Sequence, residues 1–260
     1  MKIRSQLISG AGNTFHITMT ENDSLTAAAM KSIAREICHR QPADGFIFLK
    51  GDAEGIYGEN FKWSFYNNDG SDAEMCGNAT RCVGLYIKNF LKSPLDKWQL
   101  QTVAGNITIR FVEDEIYKIT MTAIQEYKSA LGFFCDTGVP HLVIESAEIA
   151  TVIEQKENAR KLRNHADFLP RGTNVTYVQL GSDEKKAKAV SYERGVEDFT
   201  AACGTGAVAA AFYNLTKRGV KQTQVEMPGG TLMMDLSDLS KPEMTGPAVL
   251  LGSFDHAITI

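Results

Sequence analysis

The chain has 260 residues, is 43% hydrophobic and 22% charged, and carries a formal net charge of −4. That length suits one large domain or two of ordinary size and allows substantial cores. Without a basic block it offers nothing to a nucleic acid; the nearest approach, KKAKAV, reads as a solvated loop. The N-terminal MKIRSQLISGAGN has no sustained apolar core, and no run approaches the ~18 apolar residues of a membrane span, so a cytoplasmic protein with no membrane partner is expected.

KIRSQLISGAGNTFHITMT reads as two strands joined by a Gly-rich turn. SLTAAAMKSIAREICHR has helical spacing at Met30, Ile33, Ala34 and Ile37 behind a Ser/Thr start. GFIFLK and KWSFYNNDG follow as strands. Apolar residues after Cys76 fall at Ala79, Val83, Ile87 and Phe90, the spacing of a helix running through TRCVGLYIKNFL. WQLQTVAGNITIRFVEDEIYKITMT then reads as short strands broken by turns at Ala104-Gly105-Asn106 and Glu113-Asp114.

The second half repeats this grammar. GVPHLVIESAEI enters as a strand, a helix runs through IEQKENARKLRNH, and GTNVTYVQL and KAVSYERG are strands. Cys203 opens a helix of small residues with Val208, Phe212 and Leu215 on one side, and a Pro228-Gly229-Gly230 turn lies where the first half has Ala104-Gly105-Asn106. A duplicated α/β unit is predicted, with strands outnumbering helices, so a mixed or antiparallel sheet around a central helix fits better than a parallel doubly wound one. GAGNTF lacks the third glycine and the following helix of a dinucleotide loop.

Five cysteines are present: Cys38, Cys76, Cys82, Cys135 and Cys203. Their odd number and wide spacing argue against a disulfide framework, and the lack of a CxxC or HxxxH pair argues against zinc. Cys38, Cys82 and Cys135 sit among apolar neighbours and read as small buried hydrophobes. Cys76 and Cys203 differ. They open near-matching phrases, CGNA and CGTG, each at the start of a helix. The positive end of a helix favours a thiolate, and the amides of Gly77, Asn78, Gly204 and Thr205 suit an α-carboxylate. Two opposed thiols can take a proton from one face of a carbon and return one to the other, which is racemase or epimerase chemistry needing no cofactor. A non-catalytic amino-acid binder would explain the amides but not the paired thiols.

GAGNTF, NNDGSDAEMCGNATRCV, TGVPHLV, RGTNVTYV, YERGVEDFTAACGTGAVAAA, VEMPGGTLMMD and MTGPAVLLG together resemble the diaminopimelate epimerase family over nearly the whole chain. The resemblance implies an α+β fold of two pseudo-symmetric domains, each a mainly antiparallel sheet wrapped around a central helix. The domains would be 1–120 with Cys76 and 121–260 with Cys203, the last strand able to return to the first, and the active site would lie between them. It implies interconversion of L,L- and meso-diaminopimelate without pyridoxal phosphate or metal, on a small amino-acid substrate, with a homodimer allowed for. A related cofactor-independent racemase of another amino acid is the alternative.

Carried over by position, Cys76 and Cys203 are the acid/base pair, and Gly77, Asn78, Gly204 and Thr205 hold the reacting carboxylate. Asn13, Asn67, Asn174 and Arg194 contact the substrate, and His141 and Glu193 adjust the site and contact the substrate ammonium. Arg194 offers a bidentate fork for a second carboxylate. Asparagines in turns also have a structural use, which bears on Asn13 and Asn67, and His141 after Pro140 also reads as a hydrogen-bonded core histidine. Three positions depart from the family pattern: Gly45 for a glutamine, Val139 for an asparagine and Phe199 for an acidic residue.

Overall fold

The computed structural model describes residues 1–20, 25–52, 58–73, 75–103 and 105–258. Ser24 of the expected helix start, Glu74 of the first cysteine phrase and Ala104 of the expected turn lie outside the described residues. The chain divides into a first unit of Met1–Ile119 with Gly246–Ile260, and a second of Thr120–Thr245.

In the first unit, β1 (Lys2–Gly10) and β2 (Asn13–Met19) form an antiparallel hairpin turned by Ala11 and Gly12, with φ of 55° and 98°. α1 (Ala27–Arg40), capped by the Thr26 side chain, crosses to β3 (Gly45–Gly51), parallel to β2, and β4 (Asn60–Asn67) returns antiparallel. α2 (Gly77–Leu85) ends in a π-helical turn, Tyr86–Phe90, and crosses to β5 (Lys97–Thr102), parallel to β4. β6 (Gly105–Glu113) and β7 (Ile116–Thr120) follow as antiparallel neighbours. The chain's last strand, Val249–Ala257, pairs antiparallel with β1.

In the second unit, β8 (Gln125–Tyr127), β9 (Phe133–Asp136) and β10 (Pro140–Glu145) pair antiparallel in series. α3 (Ile149–Ile153) and α4 (Lys156–Arg163) cross to β11 (Asn174–Leu180), parallel to β10. β12 (Lys186–Glu193) returns antiparallel, with the short β13 (Asp198–Phe199) on its end. α5 (Gly204–Arg218) crosses to β14 (Gln222–Met227), parallel to β12, and β15 (Gly230–Asp235) and β16 (Glu243–Pro247) pair antiparallel after it. The last strand is therefore β17.

The pairing order is β17–β1–β2–β3–β4–β5–β6–β7 in the first unit and β8–β9–β10–β11–β12–β14–β15–β16 in the second. Both read antiparallel, antiparallel, parallel, antiparallel, parallel, antiparallel, antiparallel. The duplication is thus carried by strand direction at every step, and the two parallel pairs mark the two helical crossovers of each unit.

Each second crossover helix is central. α2 packs against β1, β2 and β6, and α5 against strands from β9 to β15. Strands distant in pairing order touch one helix, so each sheet curls around it. The other face is covered by the first crossover: Ile33, Ala34 and Ile37 of α1 cluster with Phe46 and Phe48, while the alternate residues Ile47 and Leu49 are also fully buried. Val152, Ala159 and Leu162 of α3 and α4 play the same part against Val175, Tyr177, Val190 and Tyr192.

Three expectations need correction. The strand read through GVPHLVIESAEI stops at Glu145, because Ser146 Oγ accepts from the Glu148 N–H at 3.3 Å and turns the chain into α3. The helix expected through IEQKENARKLRNH is broken between Ile153 and Lys156. The helix after Cys76 leaves α geometry at Tyr86.

Candidate active site

Both cysteines of interest are the N-cap residues of the central helices, Cys76 on α2 and Cys203 on α5. Each helix starts close to its sheet through a glycine. A Cβ on Gly10 of β1 would lie 2.6 Å from the Asn78 carbonyl oxygen and 3.0 Å from Cys82 Sγ. A Cβ on Gly206 of α5 would overlap Ser191 Oγ of β12. The remaining three cysteines are buried and free of disulfides.

Around Cys76 the first unit presents amides and a guanidinium. Asn78 is fully buried, and its Nδ2 donates to Asn13 Oδ1 at 2.7 Å. Asn13 Nδ2 donates to Asp44 Oδ2 at 3.4 Å, and the same oxygen accepts the Thr14 N–H at 2.8 Å. Arg81, without solvent exposure, donates to Asn78 Oδ1 at 2.9 Å. Asn67 ends β4, and its Nδ2 closes its own turn onto Ser71 Oγ at 2.9 Å, so the structural use of that asparagine is realised.

Around Cys203 the second unit presents an imidazole and hydroxyls. Cys203 Sγ accepts from the Gly206 N–H at 3.4 Å and lies 3.4 Å from Thr205 Oγ1. His141 Nε2 lies 3.0 Å from the same hydroxyl, and its Nδ1 lies 2.8 Å from Thr176 Oγ1, which in turn meets Ser191 Oγ at 2.8 Å. His141 is therefore a hydrogen-bonded core histidine that reaches the thiol through Thr205. Burial, helped by the Arg194 charge, lowers it to about 3, so it is neutral at physiological pH. Asn174 sits beside it on β11, its Oδ1 accepting the Arg194 N–H at 2.8 Å. Arg194 Nη1 donates to the Arg171 carbonyl at 3.3 Å, and Thr200 Oγ1 donates to Glu193 Oε1.

The helix end was expected to lower the cysteine thiols towards neutrality. For Cys203 burial wins: with the Glu193 carboxylate adding to it, the thiol is pushed well above its ordinary value, against weaker opposition from Thr205 and the Gly206 amide. A desolvated thiol facing a carboxylate keeps its proton.

Of the residues carried over by position, Cys76, Gly77, Asn78 and Asn13 gather at the start of α2, and Cys203, Gly204, Thr205, His141, Asn174, Glu193 and Arg194 at the start of α5. Arg81, Thr176 and Ser191, absent from the residues that the sequence pattern marks, belong to the same networks. Arg81 lies within the first cysteine phrase, one helical turn after Gly77; the two hydroxyls sit at alternating strand positions that look like ordinary small polar residues. The departures also acquire places. A Cβ at Gly45 would lie 2.6 Å from the Tyr66 carbonyl oxygen and 2.8 Å from Phe65 Cε2, so this backbone leaves no room for a glutamine. Phe199 packs edge-on to Tyr192 and near Tyr177, on the α3–α4 side of the sheet, whereas Thr176 and Ser191 face α5.

The family model described as diaminopimelate epimerase matches residues 8–125 and 133–251. The chain is 34% identical to a diaminopimelate epimerase of Aquifex aeolicus (strain VF5), over 92% of each chain. It is 30% identical to one of Chlamydia muridarum (strain MoPn / Nigg), over 98% of this chain and 95% of that one. Among solved structures it is similar to a phenazine biosynthesis protein of the PhzF family from Bacillus anthracis, with TM-score 0.77 and 16% identity over 99% of this chain and 100% of that one. It is also similar to a probable proline racemase from Agrobacterium radiobacter K84, with TM-score 0.67 and 13% identity over 99% of this chain and 93% of that one. At such identities the structural likeness speaks for the fold alone.

Proposed function

The chain belongs to the diaminopimelate epimerase family, and from that premise we propose that it interconverts L,L- and meso-diaminopimelate by proton exchange between two cysteines, without a cofactor. The observation that carries the reading is the placement of Cys76 and Cys203 as N-caps of the central helices in two units of identical strand order.

The α-carboxylate binds the amides of Gly77, Asn78, Gly204 and Thr205, which lie in the first turns of α2 and α5, where the helix directs its N–H groups outward. The same amides take up the charge that spreads into the carboxylate as the α-proton leaves. In the forward direction Cys76 takes the α-proton from one face and Cys203, protonated at rest, then gives its proton to the other. The reverse reaction requires Cys203 to lose its proton. Pairing of the Glu193 carboxylate with the substrate ammonium removes one of the two causes that hold that proton in place. His141 stays neutral and positions Thr205; it moves no proton itself.

Arg194, held by Asn174 and Arg171 at the end of β12, is the anchor for the distal carboxylate and favours diaminopimelate over a neutral amino acid. Replacing Cys76 or Cys203 by alanine tests the reading. Each change removes one acid/base group and is expected to lower kcat for epimerisation at least ~100-fold. Near-normal turnover by either variant would end the two-cysteine mechanism.

A further inference from the structure

Arg81 is a charged side chain with 0% exposure, in the first two turns of the helix that Cys76 caps. Burial lowers it to about 10, which leaves it positive at neutral pH. A guanidinium taken out of water is costly unless its donors are met and its fork is used. Here they are directed backwards along the helix and across to the sheet: Nη2 to Asn78 Oδ1 at 2.9 Å, Nη1 to the Gly77 carbonyl at 3.5 Å and Nε to the Pro247 carbonyl at 3.2 Å. Helical side chains lean towards the N-terminus, so a residue three and four positions after Asn78 and Gly77 lands beneath the first turn.

The consequence is an ordered chain of polar groups. A guanidinium can only donate, so it fixes the Asn78 amide with its oxygen towards Arg81 and its nitrogen outwards. That nitrogen donates to Asn13 Oδ1 at 2.7 Å, which fixes Asn13 with its own nitrogen towards Asp44 Oδ2, 3.4 Å away. One buried charge thereby sets two amide orientations. The corresponding position of the second unit, five residues after Cys203, is Val208, so that helix start carries no such charge.

We propose that Arg81 is a positioning residue of this reaction: it locks the Asn78 and Asn13 side chains in a single orientation and supplies a fixed positive charge behind Cys76. The role rests on the two-cysteine reading, which places Asn13 and Asn78 against the substrate.

The test combines two substitutions with two readouts. Arg81→Met keeps the bulk but removes the fork and the charge. It is expected to raise KM for diaminopimelate at least ~10-fold and to shift the pH midpoint of Cys76 alkylation by iodoacetamide upwards by roughly one unit. Arg81→Lys keeps the charge without the fork, so KM should rise while the alkylation midpoint stays near that of the unsubstituted chain. A merely structural role would lower the folded fraction and leave both readouts of the folded molecules unchanged; that result overturns the proposal. Should neither variant fold, amide exchange in the unsubstituted protein decides. Slow exchange of the Arg81 Nε–H and the Asn78 side-chain protons supports the clamp, and rapid exchange of both contradicts it. Failure of the two-cysteine reading would appear separately, as turnover by the Cys76→Ala variant.

Discussion

Cys203 and its neighbours show how much a single residue's surroundings alter what its position alone suggests. The start of a helix favours a thiolate, yet complete desolvation and a facing carboxylate outweigh it. The same desolvation keeps His141 neutral. Cys203 is therefore a protonated thiol rather than a standing thiolate. Arg194 makes the specificity claim testable at this scale. Arg194→Ala should raise KM for diaminopimelate at least ~10-fold with a smaller change in kcat, because the proposed function assigns the arginine to the end of the substrate that does not react. An unchanged KM would shift the assignment to a racemase of another amino acid. The places of Cys76 and Cys203 at the starts of two helices were legible in the sequence because both sit in short, distinctive phrases. Thr176 and Ser191 were not, because their hydroxyls act only once β11 and β12 are paired at Thr176–Ser191.

At the scale of elements, the site depends on how closely α2 approaches β1. Gly10 stands against backbone, the Asn78 carbonyl, rather than against a movable side-chain end. Gly10→Ala should therefore push the first turn of α2 away, costing about 1–3 kcal/mol of stability and lowering activity together with it. A variant with unchanged melting temperature and activity would contradict the close approach. Strand and helix periodicities placed α1, α2, α5 and most strands, since each buries an alternating or 3.6-residue face. The short β8 and β13 escaped because two or three residues carry no period. The break between α3 and α4 escaped because Glu154 and Gln155 are good helix formers, and nothing local marks them. Phe199, which as sequence bore on the substrate, is a packing residue against Tyr177 and Tyr192.

For the whole molecule, two buried imidazoles link stability to pH. His16 stacks on Phe46, meets Ser5 Oγ at 2.9 Å and the Gln41 carbonyl at 3.1 Å, and is lowered to about 4 by burial. His141 is lowered to about 3 for the same reason. Both folded values lie below the unfolded value of about 6.5, so the unfolded chain binds protons that the folded one refuses. Their contribution is complete above that pH and falls by about 1.4 kcal/mol per unit per histidine as the pH drops towards 4. Melts between pH 7 and 5 should show this slope, and His16→Gln should remove about half of it. An identical slope in the variant would contradict the assignment.

The identical strand order of the two units gives the pair of capping cysteines its meaning: the same helix start occurs twice, with an amide and guanidinium network behind Cys76 and an imidazole and hydroxyl network behind Cys203. The most direct test of that account is epimerisation of L,L-diaminopimelate in deuterium oxide, sampled early in the reaction. With two cysteines serving opposite faces, the newly formed meso product should carry deuterium at the inverted α-carbon while the remaining substrate carries none. Deuterium entering remaining substrate as fast as product would contradict the account.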